Sequence, residues 1–201
     1  MAIATKGILI GCGVLVLGAV LLLVVAGAGS YNRLVGLDEQ VESAWSQVEN
    51  VYQRRSDLIP NLVETVKGAA EFERDTFTAV TEARSKAGQT TLSGAPENAE
   101  QLRQFEQAQD QLSSALSRLL VVVERYPELR ATEAFRDLQA QLEGTENRIT
   151  VERMRFNEAA RDYNTARRRF PTVVIAGMMG FDDKPYFEAE AGADQPPPVE
   201  F

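Results

Sequence analysis

The chain has 201 residues, 44% of them hydrophobic, with a formal net charge of -8, one cysteine and no histidine. This length accommodates one domain plus an anchor, and the hydrophobic content is sufficient for a folded core. The acidic balance disfavours nucleic acid as a partner, and the lack of histidine removes the commonest metal ligand and general base.

The first predicted element is an apolar helix that spans a membrane. Residues 7–29 carry no charge, and a helix of this length crosses the roughly 30 Å of a hydrocarbon core. We favour a retained signal-anchor, preceded by a short N-terminal segment, 1–6. A signal peptide cleaved after Ala28 is the alternative, since Ala-Gly-Ala at 26–28 forms a small-x-small site. A lipoprotein signal at Cys12 is disfavoured because the apolar run continues well past it.

Three later tracts share a heptad pattern. Leu34 to Ala69, Leu102 to Val123 and Ala131 to Phe170 each place most of their apolar residues at alternating steps of three and four. In the first tract Trp45, Tyr52, Ile59 and Val66 add a second row at seven-residue spacing. Such helices pack side by side at shallow angles. The sequence therefore predicts an all-α fold: a transmembrane helix, then an elongated antiparallel, coiled-coil-like bundle of four-helix type over 30–181.

Helix ends are signalled by residue type. Glycine, threonine, serine and proline collect in 88–96 and end the first tract. Asn98 is the predicted N-cap of the next helix, with Gln101 three residues later. Pro127 separates the second and third tracts, and Pro171 ends the third.

Pro60 leaves the course of the first tract open. The unbroken heptad phase favours one kinked helix from about Tyr31 to Lys86. A reversal at Ile59-Pro60 would instead give segments of about 28, 26, 28 and 42 residues, closer to a matched bundle. The phase is compatible with both arrangements.

Two features are predicted near the C-terminus. Val173–Met179 is a short apolar stretch that we expect to pack against the bundle. Residues 182–201 are acidic and include three consecutive prolines, which predicts a flexible tail.

Motifs of known chemistry are absent from the sequence. It contains no phosphate-binding glycine motif and no cluster of cysteine and histidine with metal-ligand spacing. Bundle carboxylates could form an acid/base pair or a metal site, but we interpret most as solvated helix-face charges. We therefore predict no catalytic, cofactor or metal residues. The carboxylates considered are Glu49, Glu64, Glu106, Glu146 and Glu152.

Polar residues concentrate around Pro60 and form a predicted structural cluster. Arg55 occupies a heptad position that faces the bundle interior, where an unpaired charge is costly. We expect it to pair with an inward acid such as Glu146. The other residues would satisfy carbonyls that proline leaves free, or contact a ligand or partner. The full cluster is Arg54, Arg55, Asp57, Asn61, Glu146 and Asn147.

Arg167, Arg168 and Arg169 close the third tract. Cations at a helix C-terminus stabilise the helix dipole, and this explains the cluster without a further role. If the chain reversed at Pro60, four passes would return these arginines to the membrane. They would then form a lipid or partner contact.

The chain resembles the LemA family over nearly its whole length except the acidic tail. The most specific run is R-R-S-D-L-I-P-N-L-V-E at 54–64. Other matching residues are Tyr31-Asn32-Arg33-Leu34-Val35, Ala44-Trp45, Ala83-Arg84, Glu124-Arg125-Tyr126-Pro127, Thr145-Glu146-Asn147, Tyr163-Asn164, Gly180-Phe181 and Phe187-Glu188.

The resemblance implies a bacterial single-pass protein of the cytoplasmic (inner) membrane with a four-helix bundle. It also implies an outside N-terminus and a cytoplasmic domain. The positive charges near the apolar segment, Lys6 before it and Arg33 after it, weakly favour a cytoplasmic N-terminus instead. The side of the membrane on which the domain lies therefore stays open. The family has no established catalytic or binding residues to carry over.

The function that we expect is a membrane-anchored scaffold or interaction protein. It would form a homo-oligomer through its heptad faces, and other membrane or envelope proteins are further candidate partners. The alternative is a membrane-tethered sensory or signalling bundle without its own output domain. A carboxylate-based, metal-dependent enzyme is a third reading.

Overall fold

The computed structural model describes residues 2–67 and 74–188, and within these ranges the secondary structure is entirely helical. The bundle is built mainly from four helices, to which a short connecting helix and a short C-terminal helix are added. The helices are α1 (Ala2–Lys67), α2 (Arg74–Gln89), α3 (Ala99–Val123), α4 (Pro127–Arg130), α5 (Glu133–Arg167) and α6 (Thr172–Met179).

The predicted anchor and the first bundle helix form one continuous helix. α1 has 66 residues, corresponding to about 100 Å, and continues through Gly29 and Pro60 without a break. Its N-terminal part contains an apolar stretch with a mean hydropathy of 2.4, and no residue of this stretch is buried. Leu15 and Leu22, for example, are more than 70% exposed. An apolar surface of this kind is suited to lipid.

The chain reverses after Lys67. The favoured prediction, a helix that continues through Pro60, is confirmed, but this helix ends at Lys67 and not at Lys86, and the alternative reversal at Ile59-Pro60 is wrong. α2 runs antiparallel to α1, because Arg84 Nε donates to the Ser56 carbonyl and Ala95 N–H donates to Glu42 Oε2. The heptad phase concealed the reversal because it continues to Ala69. The signal that was available is Gly68, since glycine commonly follows a helix end.

The bundle makes four passes. α1 packs along α5 and α2 packs along α3. α5 is antiparallel to α1, because the ring of Phe156 lies 5.5 Å from that of Trp45 while Glu146 lies beside Arg55. The predicted N-cap forms: Asn98 Oδ1 accepts from Gln101 N–H. The proline signals are also confirmed, since α4 begins at Pro127 and α5 ends before Pro171.

Two hydrophobic cores lie along the bundle. The proximal core, next to the span, is rich in aromatic residues, whereas the distal core is mainly aliphatic. The proximal core contains Leu34, Val41, Trp45, Val48, Tyr52, Leu102, Phe105, Ile149, Phe156, Ala160, Tyr163 and Phe187. The distal core contains Ile59, Leu62, Val66, Phe77, Val80, Leu112, Leu116, Leu119, Val123, Leu129 and Phe135.

The segment after α6 is an extended strap, residues 181–188, which packs on α5. Asn164 donates to the Lys184 carbonyl and accepts from its N–H, and Asn157 makes the same two bonds with Phe187. The ring of Phe187 is buried against Trp45. The predicted flexible tail therefore does not begin at Asp182, since residues 182–188 extend the domain. Residues 189–201 lie outside the described ranges.

Candidate functional site

Arg55 lies between the two cores and is the centre of a buried polar layer. Only 2% of its surface is exposed. Its Nη1 donates to Ser113 Oγ at 2.9 Å and lies 3.3 Å from Glu146 Oε2. Its Nη2 donates to Gln109 Oε1 at 2.6 Å and to the Gln109 carbonyl at 3.3 Å. The guanidinium thus joins α1 to α3 and α5.

The heptad position of Arg55 explains why it points inward. It lies seven residues from both Val48 and Leu62, which are fully buried. Removing a charge from water is costly unless it is paired and hydrogen-bonded, and here partners come from two other helices. The guanidinium also lies 5.0 Å from the Tyr52 ring centroid, within cation–π range. Its Nε is buried without a hydrogen-bond partner.

A cleft of about 360 Å³ opens beside this layer. Arg55 and Arg153 line it together with Glu146 and Asp110, so cationic and anionic groups are balanced. The cleft can therefore accept small polar groups but has no net charge that would select cations or anions. Among the described residues, no group of three or more Cys, Asp or Glu side chains is placed to hold a metal ion.

Arg84 compensates for the missing N–H of Pro60. Proline inside a helix cannot donate to the carbonyl four residues earlier, which here belongs to Ser56. Arg84 Nε, from α2, donates to that carbonyl at 2.9 Å. α1 therefore continues through Pro60 with its freed carbonyl satisfied, and α2 is held against it at this point.

The structure brings together two of the six residues of the predicted polar cluster. Arg55 and Glu146 form the expected pair. The remaining four do not join the Arg55 layer, and Asp57 accepts from Gln53 on the same helix. These four are Arg54, Asp57, Asn61 and Asn147, all of them exposed.

Sequence reasoning missed Gln109, Ser113 and Arg84. Gln109 carried a usable signal, because it is a polar residue at a heptad position between Phe105 and Leu112. Arg84 carried a weaker signal, because Ala83 and Arg84 are among the residues that resemble the LemA family. Ser113 gave no signal that distinguishes it from the surface serines around it.

The carboxylates considered for chemistry are dispersed. Glu106 pairs with Arg153 at 2.6 Å, and burial nevertheless raises its pKa. Burial also raises the pKa of Glu49. Glu152 pairs with Arg155 on its own helix, and Glu64 is exposed next to Lys67. In the part of the chain that the structure describes, only Glu146 of this set reaches the Arg55 layer.

The arginines at the end of α5 lie at the membrane-proximal end of the bundle. The four passes bring them there, although the reversal follows Lys67 and not Pro60. Arg167 donates to the Phe181 carbonyl at 2.6 Å and pairs with Asp183, which also pairs with Arg168. Arg169 is exposed. Two of the three arginines thus help to hold the strap.

Comparison with known proteins gives a consistent family. The LemA family model matches residues 44–201. The magnetosome proteins MamQ of Magnetospirillum gryphiswaldense and MamQ 2 of Paramagnetospirillum magneticum are each 27% identical over 183 residues, covering 83% of this chain and 67% of the relative. Protein LemA of Metamycoplasma hominis is 20% identical over 161 residues, covering 80% and 70%.

Proposed function

Because the chain belongs to the LemA family, we propose that this membrane-associated helical protein is a scaffold that self-associates at the membrane surface. The observation that carries the proposal is the continuity of α1 from the apolar span into the bundle. A rigid helix fixes both the height and the tilt of the domain relative to the membrane. Neighbouring copies then present the same surface at the same height, and tethering raises their effective concentration.

The self-associating surface cannot be the heptad face of α1. Its two apolar rows pack inside the bundle, and Val41, Trp45, Val48 and Leu62 are fully buried. Two apolar rows on one helix are therefore no reason to expect association through that helix. The contact must use a surface that remains exposed.

The outer face of α5 is the surface that we propose for self-association. Met154 and Val151 are exposed there, one helical turn apart, and Tyr186 of the strap is 41% exposed. Met154 and Tyr186 line a shallow groove of about 570 Å³ together with Glu158 and Arg161. An apolar centre with a charged rim is the usual composition of a protein interface.

The proposed location is the bacterial cytoplasmic membrane, with the span retained. Relatives named as magnetosome proteins support a role in an assembly, and membrane or envelope proteins are further proposed partners. A scaffold of this kind needs no bound cofactor.

Disulfide crosslinking in native membranes tests self-association. Cysteine would be introduced at Met154 in a Cys12→Ser background, with Val121→Cys as the matched control. The two positions are similarly exposed, at 59% and 61%, but Val121 lies at the distal end of α3. We expect mild oxidation to give a dimer with Met154→Cys and little with Val121→Cys.

Monomers in both variants, together with a monomeric mass by native mass spectrometry in nanodiscs, would refute the scaffold proposal. Equal crosslinking of both variants would indicate random collision and would refute the α5 surface. A comparable yield after tenfold dilution into excess lipid would further support a specific contact.

The Arg55 cleft favours a second candidate, a sensory bundle. Arg55, whose buried Nε has no hydrogen-bond partner, lines a cleft together with Glu146 and Arg153. A small hydrogen-bond acceptor bound there would alter the contact between α1, α3 and α5. Acetate or inorganic phosphate should then raise the unfolding temperature and change Trp45 fluorescence. A panel of such anions without effect on either readout would count against it.

A further inference from the structure

We propose that α6 is a membrane-interface helix, which lies in the headgroup region beside the span and inserts its exposed apolar side chains into the bilayer. The proposal depends on α1 being a membrane anchor and does not depend on self-association. The occupant of the surface is therefore the lipid around α1.

The height of α6 along α1 is the first support. A Cβ atom built on Gly27 would lie 3.5 Å from Ile175 Cδ1, so α6 packs against the last part of the uncharged segment 7–29. One turn farther along α1, the ring of Tyr31 contacts that of Phe181, with centroids 5.8 Å apart. Tyrosine is enriched where a span leaves the hydrocarbon.

The exposed surface of α6 is the second support. The helix contains no charged residue, and only Thr172 and Ala176 are buried. Outside the span, the described residues include ten exposed large hydrophobic side chains, and half of them fall within 170–179. These five are Phe170, Val173, Val174, Met178 and Met179. Such a concentration of apolar surface indicates an interaction site.

The neighbouring charges fit a lipid interface. Arg169 is exposed and immediately precedes the apolar residues, and Arg33 follows the uncharged segment of α1 by one turn. Cations next to an interfacial helix attract anionic headgroups. Continuity with the span favours lipid over a soluble partner, because anything that covered α6 would have to enter the headgroup layer.

Thiol reactivity and lipid quenching together test the proposal with the full-length chain. Met178→Cys and Val121→Cys would each be prepared in the Cys12→Ser background and reconstituted into nanodiscs of phosphatidylcholine and phosphatidylglycerol. Met178 is 73% exposed in the protein alone and Val121 is 61% exposed. If α6 is covered, a charged maleimide should nevertheless modify Met178→Cys several-fold more slowly than Val121→Cys.

Quenching then identifies what covers the helix. A fluorophore on Met178→Cys should be quenched several-fold more than one on Val121→Cys by lipids that carry a nitroxide near the headgroup. Equal reactivity at the two positions would overturn the proposal. Slow reactivity without lipid quenching would also overturn it, because a second protein copy would then cover α6. Circular dichroism checks that both variants remain folded.

Discussion

The proximal and distal cores lie in the same bundle but differ in the type of side chain that fills them. Leucine and valine side chains dominate the distal core, where α2 and α3 pack together against the end of α1. The proximal core lies beyond the end of α2, and rings from α1, α3, α5 and the strap occupy it. Trp45 contacts Phe105, Phe156 and Phe187 there.

The difference shows how a bundle can bury its interior at an end that one of its helices, here α2, does not reach. Aromatic side chains are large and fill the space that α2 leaves unoccupied. The strap closes the remaining side and is held through its backbone by Asn157 and Asn164. The Arg55 layer separates this aromatic end from the aliphatic end.

Removing the central ring of the proximal core should give the largest effect. Trp45→Ala deletes a fully buried side chain at the centre of three ring contacts, and we expect a loss of about 3–5 kcal/mol in the free energy of unfolding. Urea unfolding in detergent micelles, followed by circular dichroism, measures it. Leu119→Ala is the distal counterpart, and an equal or greater loss there would show that the proximal core is not the more sensitive one.

Breaking the polar layer should destabilise the protein by about 3 kcal/mol. Arg55→Leu removes the central donor and leaves Gln109 and Ser113 without it. Glu146→Gln should cost about 1 kcal/mol or less, because the Glu146 side chain is 55% exposed. Thermal unfolding compares the two. An unchanged or higher midpoint for Arg55→Leu would mean that the layer does not stabilise the fold.

Releasing the strap should cost about 2 kcal/mol. Asn164→Ala removes the bonds to the backbone of Lys184 and to the Tyr186 hydroxyl. We expect faster amide hydrogen exchange in 181–188, with α2 and α3 unaffected. Asn147→Ala is the matched control, since this asparagine lies exposed on the same helix. Similar exchange in both variants would show that the asparagine bonds do not hold the strap.

Arg84 should stabilise α1 only because Pro60 is present. Arg84→Met frees the Ser56 carbonyl, with an expected cost of about 1–2 kcal/mol. In a Pro60→Ala background the backbone N–H of the introduced alanine can donate to that carbonyl, so the same change should cost less. A double-mutant cycle by urea unfolding measures the coupling. Additive effects would refute the compensation.

The pH dependence of stability should give the smallest effect. Burial raises the pKa of Glu106, so the folded state binds this proton more tightly than the unfolded state. Its contribution to the unfolding free energy therefore falls as the pH rises from the unfolded pKa through the folded pKa. Glu106→Gln should remove this decline, which urea unfolding across a pH series measures. Hydrogen bonds from Arg103 and Gln104 lower the pKa of Glu100, so its contribution to the unfolding free energy rises with pH. Glu100→Gln should remove this rise.

The parts of the fold that were predicted from sequence depend on neighbours along the chain. The uncharged span, the heptad tracts, the Asn98 cap and the stops at Pro127 and Pro171 all have this property. The heptad phase favoured a helix that continues through Pro60, whereas the bond from Arg84 of another helix to the freed Ser56 carbonyl was not predictable. The inward position of Arg55 was readable, and Gln109 carried a signal as a polar residue at a heptad position, whereas Ser113 carried none.

The sequence by itself determined the helical class, the apolar span and the faces of α1, α3 and α5 that turn inward, because these follow from residue spacing and hydrophobicity. Only the tertiary structure decided where the first tract reverses. It likewise decided which backbone groups of the strap form hydrogen bonds with Asn157 and Asn164 of α5. It also decided that α6 lies beside the span. The physical reason is that an amphipathic pattern specifies a buried face without specifying the surface that covers it.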